Sequence, residues 1–182
     1  LADWEAQRSA AAQELGLLFK SAARSRVLEL VAGPAMDAAT ALQDLAAPEG
    51  VCYGCGGRNP HGLHVKSYWD TDGVHVLAEH LPDSKYCGWP DLVYGGLLAM
   101  LVDCHSNWTA MAYHYRAEQR EPGSLPRIDC VTGYLGLKYI KPTPMGVALT
   151  LRARLEGELG RKSKIICEVY AGDVLTAIGD ST

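Results

Sequence analysis

The sequence predicts an α+β domain in which an antiparallel sheet surrounds one long buried helix, with a helical extension ahead of it. Three observations lead there. Val93 to Tyr115, VYGGLLAMLVDCHSNWTAMAYHY, is apolar on nearly every side, and a helix of that kind has to be enclosed by the rest of its chain. Strand-like runs flank it in hairpin order with no βαβ alternation, which favours antiparallel pairing. The 182 residues suffice for one domain of ordinary size and an appendage.

Within the central stretch, length and the Leu, Ala and Met content favour helix over strand. Asp103 interrupts the apolar run well before the roughly 20 residues needed to cross a bilayer, so no membrane span is expected. Burying an ionised carboxylate is costly unless it is paired or hydrogen-bonded. Asp103 is therefore the first functional candidate. Ser106 and Asn107 follow on the same helix face, placed to hold its carboxylate. His105 points elsewhere, and Cys104 reads as core.

Ahead of this, residues 3–32 read as a helix: Ala is dense, Asp3 and Glu5 sit in the first turn, and Leu15, Leu18, Phe19 and Ala22 share a face. Gly33-Pro34 ends it. A second short helix is expected from Ala35 to Leu45, closed by Pro48-Glu49-Gly50. Residues 1–49 then form the extension and 50–182 the main domain. The extension is an arm packed on the domain or on a partner subunit, or else a lid over a pocket. A Gly-rich loop, CYGCGGRNPHGL, covers residues 52–63. Leu63–Trp69 and Val74–Leu81 are expected strands, joined by the hairpin signal Asp70-Thr71-Asp72-Gly73. Pro82 to Leu92 is expected as a loop carrying Tyr86, Cys87 and Trp89.

After the helix, residues 117–126 are polar and turn-like. Strands are expected over Ile128–Ile140, Val147–Glu156 and Ser163–Tyr170. Gly172-Asp173 makes a turn before a last strand, Val174–Ile178. One helix cannot cover both faces of such a sheet, so apolar surface remains and a homo-oligomer is expected.

A net charge of −4, with no long basic run, argues against nonspecific nucleic-acid binding and against an anionic membrane surface as partner. The start, LADWEAQRSAAAQEL, has no apolar stretch of the kind a secretory signal needs. A reducing cytoplasm is expected, with the six cysteines as free thiols. Cys52-x-x-Cys55 with His61 and His64 is too closely spaced for a zinc finger, and no second Cys-x-x-Cys completes it. No metal is expected.

Four motifs occur in order over roughly residues 50–180: CYGCGGRNPHGL, CGWPDLVYGGLLAMLVD, VTGYLGLKYIKPTP and LGRKSKIICEV. Together they resemble the hotdog-fold thioesterases, most closely the acyl-CoA thioesterases related to the phenylacetate-pathway enzyme and the mammalian thioesterase-superfamily members. The resemblance implies a hotdog fold and hydrolysis of an acyl-CoA, or acyl-carrier, thioester to free acid and thiol. It implies Asp103 as the catalytic acid, and Gly95 and Gly96 as the helix start whose amides polarise the thioester carbonyl. Thr132 falls on the strand hydroxyl that assists the acid. Lys138, Lys141, Arg161 and Lys162 fall on or beside positions that hold the pantetheine and nucleotide of coenzyme A. No cofactor is implied beyond coenzyme A as part of the substrate. The family's His-Gly-Gly is Tyr94-Gly95-Gly96 here, and in the family that His mainly shapes the turn.

The residue types suit this chemistry. Thioester hydrolysis develops negative charge on the carbonyl oxygen, and free amides at a helix start, with the macrodipole behind them, stabilise it. Glycine lets the substrate approach the backbone. Asp103 can attack the carbon or deprotonate water. Eight residues of straight helix rise about 12 Å, so Asp103 cannot reach a carbonyl held at its own Gly95. The site must be shared between copies, in a dimer or a dimer of dimers. Trp89, Tyr94 and Tyr86 surround the helix entrance as an acyl pocket or as a plug at the sheet end. Two other functions remain open: an acyl-thioester dehydratase or hydratase on the same fold, and a non-catalytic acyl-thioester binding protein.

Overall fold

The computed structural model describes residues 40–182. The helix expected over 3–32, and the start of the one expected from Ala35, lie outside the described residues. The first described helix is α1 (Leu42–Ala46). Its Leu42 is buried in the domain's core, and the Gln43 side chain is tied to Ser67: Gln43 Nε2 donates to Ser67 Oγ at 2.9 Å, and Ser67 N donates to Gln43 Oε1 at 2.8 Å.

Strands β1 (Tyr68–Trp69) and β2 (Val76–His80) form the expected hairpin. A 3-10 turn (Ser84–Tyr86) and a small hairpin, β3 (Cys87–Trp89) and β4 (Leu92–Val93), lead into α2 (Gly95–Ala117). Then come β5 (Leu135–Tyr139), β6 (Leu149–Glu156), β7 (Lys164–Ala171) and β8 (Val174–Ser181). Six strands make one antiparallel sheet in the order β1-β2-β6-β7-β8-β5. Strand β5, which follows the helix in sequence, is therefore an edge.

The central strands alternate as one covered face demands. Leu149, Leu151 and Ala153 of β6 and Ile165, Cys167 and Val169 of β7 are buried, with half-buried residues between them. These buried side chains form one core with Leu97, Leu98, Leu101 and Val102 of α2. The helix packs across β6, β7 and β8. The 41–67 segment covers another side: Cys55 meets Trp108, and Ser67 meets His105. Gly95, Gly96, Ala99, Met100, Asp103 and Asn107 stay only half-buried. Their three- and four-residue spacing makes them one stripe. Among the described residues, the helix is thus enclosed on every side except the one that carries Asp103.

Several boundaries differ from the sequence expectation, each for a local reason. The strand expected over Leu63–Trp69 shrinks to its last two residues. Its backbone turns instead to the loop and to α1: Val65 N donates to Gly54 O at 3.0 Å, and Leu42 N to Ser67 O at 2.9 Å. The strand expected from Ile128 starts only at Leu135. Ile128 N donates to the Tyr115 hydroxyl at 3.0 Å, and Gly133 N and Tyr134 N share the Thr182 carbonyl at 2.8 and 3.0 Å. The expected loop 82–92 contains a turn and a hairpin, because Tyr94 N pairs with Tyr86 O at 2.8 Å and Val93 N with Thr143 O at 2.8 Å. The last strand extends past Ile178 to Ser181, paired on both sides, to β7 and β5.

Exposed apolar surface remains, part of it along the edge. Val131 is 89% exposed, Tyr134 58% and Tyr139 55%. All three lie on the segment that runs beside the uncovered helix stripe and into β5.

Candidate functional site

Asp103 sits midway along α2 with its carboxylate held by two side chains. Thr132 Oγ1 donates to Asp103 Oδ1 at 2.5 Å. Asn107 Nδ2 lies 3.5 Å from the same oxygen, 3.2 Å from the Asp103 carbonyl and 2.6 Å from Thr132 Oγ1. Helical spacing explains Asn107, one turn on. Thr132 arrives because the 127–134 segment leaves the sheet and runs along the helix, anchored by Tyr115 at one end and Thr182 at the other. Ser106, also expected to hold the carboxylate, does not. It is 2% exposed, and its hydroxyl has no hydrogen-bond partner among the described residues.

Ser106, Asn107 and Thr132 open onto a cavity of about 400 Å³, whose wall includes His114, Arg161 and Ser163. Arg161 is exposed at the β6–β7 turn, and Lys162 beside it is exposed as well. The cavity lining thus has the two side chains that hold the Asp103 carboxylate, an unsatisfied hydroxyl and a guanidinium.

The helix start faces a different opening. No side chain caps α2 at Tyr94, so the Gly95 and Gly96 amides, being first in the helix, have no intrahelical acceptor. Gly95 lines a groove of about 480 Å³ with Leu98, Tyr139, Lys141 and Thr143. Tyr139 donates its hydroxyl to the Gly95 carbonyl at 2.8 Å, a contact the sequence reading missed. Alternation along β5 was its only signal, since Tyr139 follows the candidate Lys138. Lys138 itself is exposed on the edge strand.

The aromatic candidates divide. Tyr86 is half-buried and shares a 2.9 Å hydrogen bond with the Tyr53 hydroxyl. Trp89 and Tyr94 are 72% and 56% exposed, and neither lines the groove beside Gly95. The Tyr94 ring lies back over Gly96, where a Cβ would come within 2.3 Å of it. Any larger residue at 96 would have to displace that ring.

His105 is sealed in the core. Its Nε2 pairs with the Val76 carbonyl at 3.0 Å and its Nδ1 with Ser67 Oγ at 2.9 Å. Burial pushes its pKa down to about 4, against the Val76 bond. A neutral ring donating from Nε2 and accepting at Nδ1 satisfies both contacts. Neither nitrogen is free to transfer a proton to a ligand.

Among the described residues, a six-stranded antiparallel sheet with one long helix packed on it is the hotdog arrangement. A thioesterase superfamily protein from Shewanella loihica is 33% identical over 68% of this chain and 91% of its own, with a TM-score of 0.52. The chain therefore belongs to the hotdog thioesterase superfamily. A phenylacetic acid degradation-related protein from Ralstonia eutropha shares the fold at 20% identity, with a TM-score of 0.53 over 65% of this chain and 83% of that one. A further thioesterase superfamily protein shares it at 22% identity and a TM-score of 0.55, over 97% of this chain and 81% of that one. Scans of the sequence against family models and against curated proteins found no match. Among the described residues no helix is long and apolar enough to cross a membrane.

Proposed function

We propose that this protein hydrolyses an acyl-CoA thioester at a site built between two copies of the chain. The Gly95 and Gly96 amides of one copy hold the thioester oxygen. Asp103 of the other copy attacks the carbonyl carbon or takes a proton from the attacking water. The observation that carries this reading is the uncovered stripe of α2. It exposes an uncapped glycine start and an oriented acid that are about 12 Å apart along one helix; Gly95 lines one cavity, and Asn107 and Thr132, which hold the acid, line another. Only a second stripe laid against the first brings the two ends within reach of one atom.

The surroundings support the pairing. The stripe is flanked by the exposed apolar edge at Val131, Tyr134 and Tyr139, and β5 offers an unpaired strand edge for a second copy. Asn107 and Thr132 keep Asp103 oriented and accepting. The unpartnered Ser106 hydroxyl in the same cavity offers a hydrogen bond to a water. Lys141 beside the Gly95 groove, and Arg161 with Lys162 beside the other cavity, are placed to meet the phosphates of coenzyme A. A dehydratase or hydratase needs a histidine at the substrate; His105 is committed to Ser67 and Val76, and His114 in the cavity wall has its Nε2 on Ser163 Oγ at 3.2 Å.

One observation favours a second reading, a protein that binds acyl thioesters without cleaving them: the Tyr94 ring covers Gly96. The test is a panel of short, long and aromatic acyl-CoAs with released thiol measured for the wild type and Asp103→Asn. Thiol release that is lost in Asp103→Asn supports hydrolysis. Binding of acyl-CoA without release from any substrate supports the second reading. Release unchanged in Asp103→Asn removes Asp103 from the mechanism.

A further inference from the structure

Three sulfurs with no part in the thioester chemistry meet beside Asp103. The Sγ atoms of Cys52, Cys55 and Cys104 all lie within 4.8 Å of one another. Cys52 Sγ and Cys104 Sγ are 3.8 Å apart. Trp108 Nε1, one turn along the helix from Cys104, donates to Cys55 Sγ at 3.1 Å. The 52–56 loop is closed on itself by Gly56 N to Cys52 O at 2.8 Å, and it is held from outside by Leu63 N to Tyr53 O at 2.8 Å. It lies so close to the helix that a Cβ on Gly54 would fall 2.2 Å from Cys104 Sγ. The two loop cysteines are therefore fixed over the third.

We propose that Cys52, Cys55 and Cys104 form a three-thiolate site for a zinc-class cation that clamps the 52–56 loop onto α2. Zinc–thiolate bonds of about 2.3 Å in a tetrahedron set neighbouring sulfurs about 3.8 Å apart. The Cys52–Cys104 separation matches that edge and lies far from the ~2.05 Å of a disulfide. An all-sulfur donor set selects a soft d10 cation over magnesium or calcium. Cys55 and Cys104 are buried while Cys52 is exposed, which gives a rigid base and an entry path. Each thiol releases its proton to solvent on ligation, and water takes the fourth position. The indole N–H of Trp108 is the outer hydrogen bond that orients a ligating sulfur. Because Cys104 follows Asp103 directly, the clamp fixes the helix turn that carries the acid. The site stands independently of the thioester reading.

The reduced full-length protein is titrated with Co2+, then with Zn2+ against a chromophoric chelator. The expected result is the visible spectrum of tetrahedral thiolate-bound cobalt, saturating at one ion per chain and bleached by Zn2+. Cys52→Ser, at an exposed position, removes the sulfur-to-cobalt band and weakens Zn2+ binding about 100-fold, with far-UV circular dichroism unchanged. Trp108→Phe weakens binding about tenfold and keeps the spectrum. Cys87→Ser, exposed and outside the cluster, binds as the wild type does. A reduced wild type that gives no cobalt spectrum overturns the proposal. So does a Cys52→Ser protein that binds Zn2+ as tightly as the wild type.

Discussion

Thr132 donates its hydroxyl to the Asp103 carboxylate at 2.5 Å across 29 positions of sequence. The bond joins the central helix to a segment that leaves the sheet in order to make it. A carboxylate accepting from a neutral hydroxyl and an amide keeps its direction. A base or nucleophile needs that direction.

On the hydrolytic reading, Asp103→Asn keeps the shape and the Thr132 contact but removes the charge. Its kcat should fall about 10³-fold with little change in KM. Thiol release under saturating acyl-CoA measures it, and circular dichroism shows whether the fold is kept.

Thr132→Val removes the hydroxyl and leaves the volume. Asp103 then depends on Asn107 at 3.5 Å alone. The kcat should fall about tenfold, the size of one hydrogen bond to a charged group. Asn107→Ala in the same background should add less than its effect alone, because the two residues share one acceptor and bond each other. A double-mutant cycle on kcat reads that coupling.

Much of this was legible in the sequence. An apolar run as long as Val93–Tyr115 admits only a buried helix, and Asp103 and Asn107 share a face by spacing alone. The Asp70–Gly73 turn named its own hairpin. What stayed hidden depends on distant partners. Thr132 could be joined to Asp103 only through family resemblance, since no local rule links them. The strand expected from Ile128 was too long because the Tyr115 hydroxyl and the Thr182 carbonyl take its backbone groups. Likewise, the Gln43 side chain and the 50–65 loop take those of residues 65–67. Cys104 reads as core and is buried there; the two sulfurs that meet it stayed hidden because they lie about fifty residues away in the chain.

His105 should make stability pH-dependent. The unfolded chain protonates this ring near pH 6.5 and the folded chain only near pH 4. The unfolded state therefore binds the extra proton between those values. The stability concerned is intact above about pH 6.5, and about 3 kcal/mol is lost as pH falls to 4. Urea unfolding at a series of pH values measures the loss, and in His105→Gln the stability lost over this window should be smaller by that amount.

On the hydrolytic reading, Arg161→Ala should raise KM for acyl-CoA several-fold and leave kcat nearly unchanged, because a phosphate contact there, far from the reacting atoms, would contribute equally to ground and transition states. The effect should shrink as salt rises. Initial rates at low and high ionic strength check both statements.

The shared site is tested most directly by co-expressing two inactive chains. Gly95→Pro removes one amide donor at the first helical position, where the backbone accepts proline and the Tyr139 hydroxyl, 2.9 Å from the added Cβ, must turn aside. Asp103→Asn removes the acid. Each homodimer should be inactive. The mixed dimer holds one intact pair, the amides of the Asp103→Asn chain facing the acid of the Gly95→Pro chain. A random mixture should therefore recover about a quarter of wild-type thiol release. A mixture no more active than its two parents would mean that the helix start and the acid do not act together across two copies.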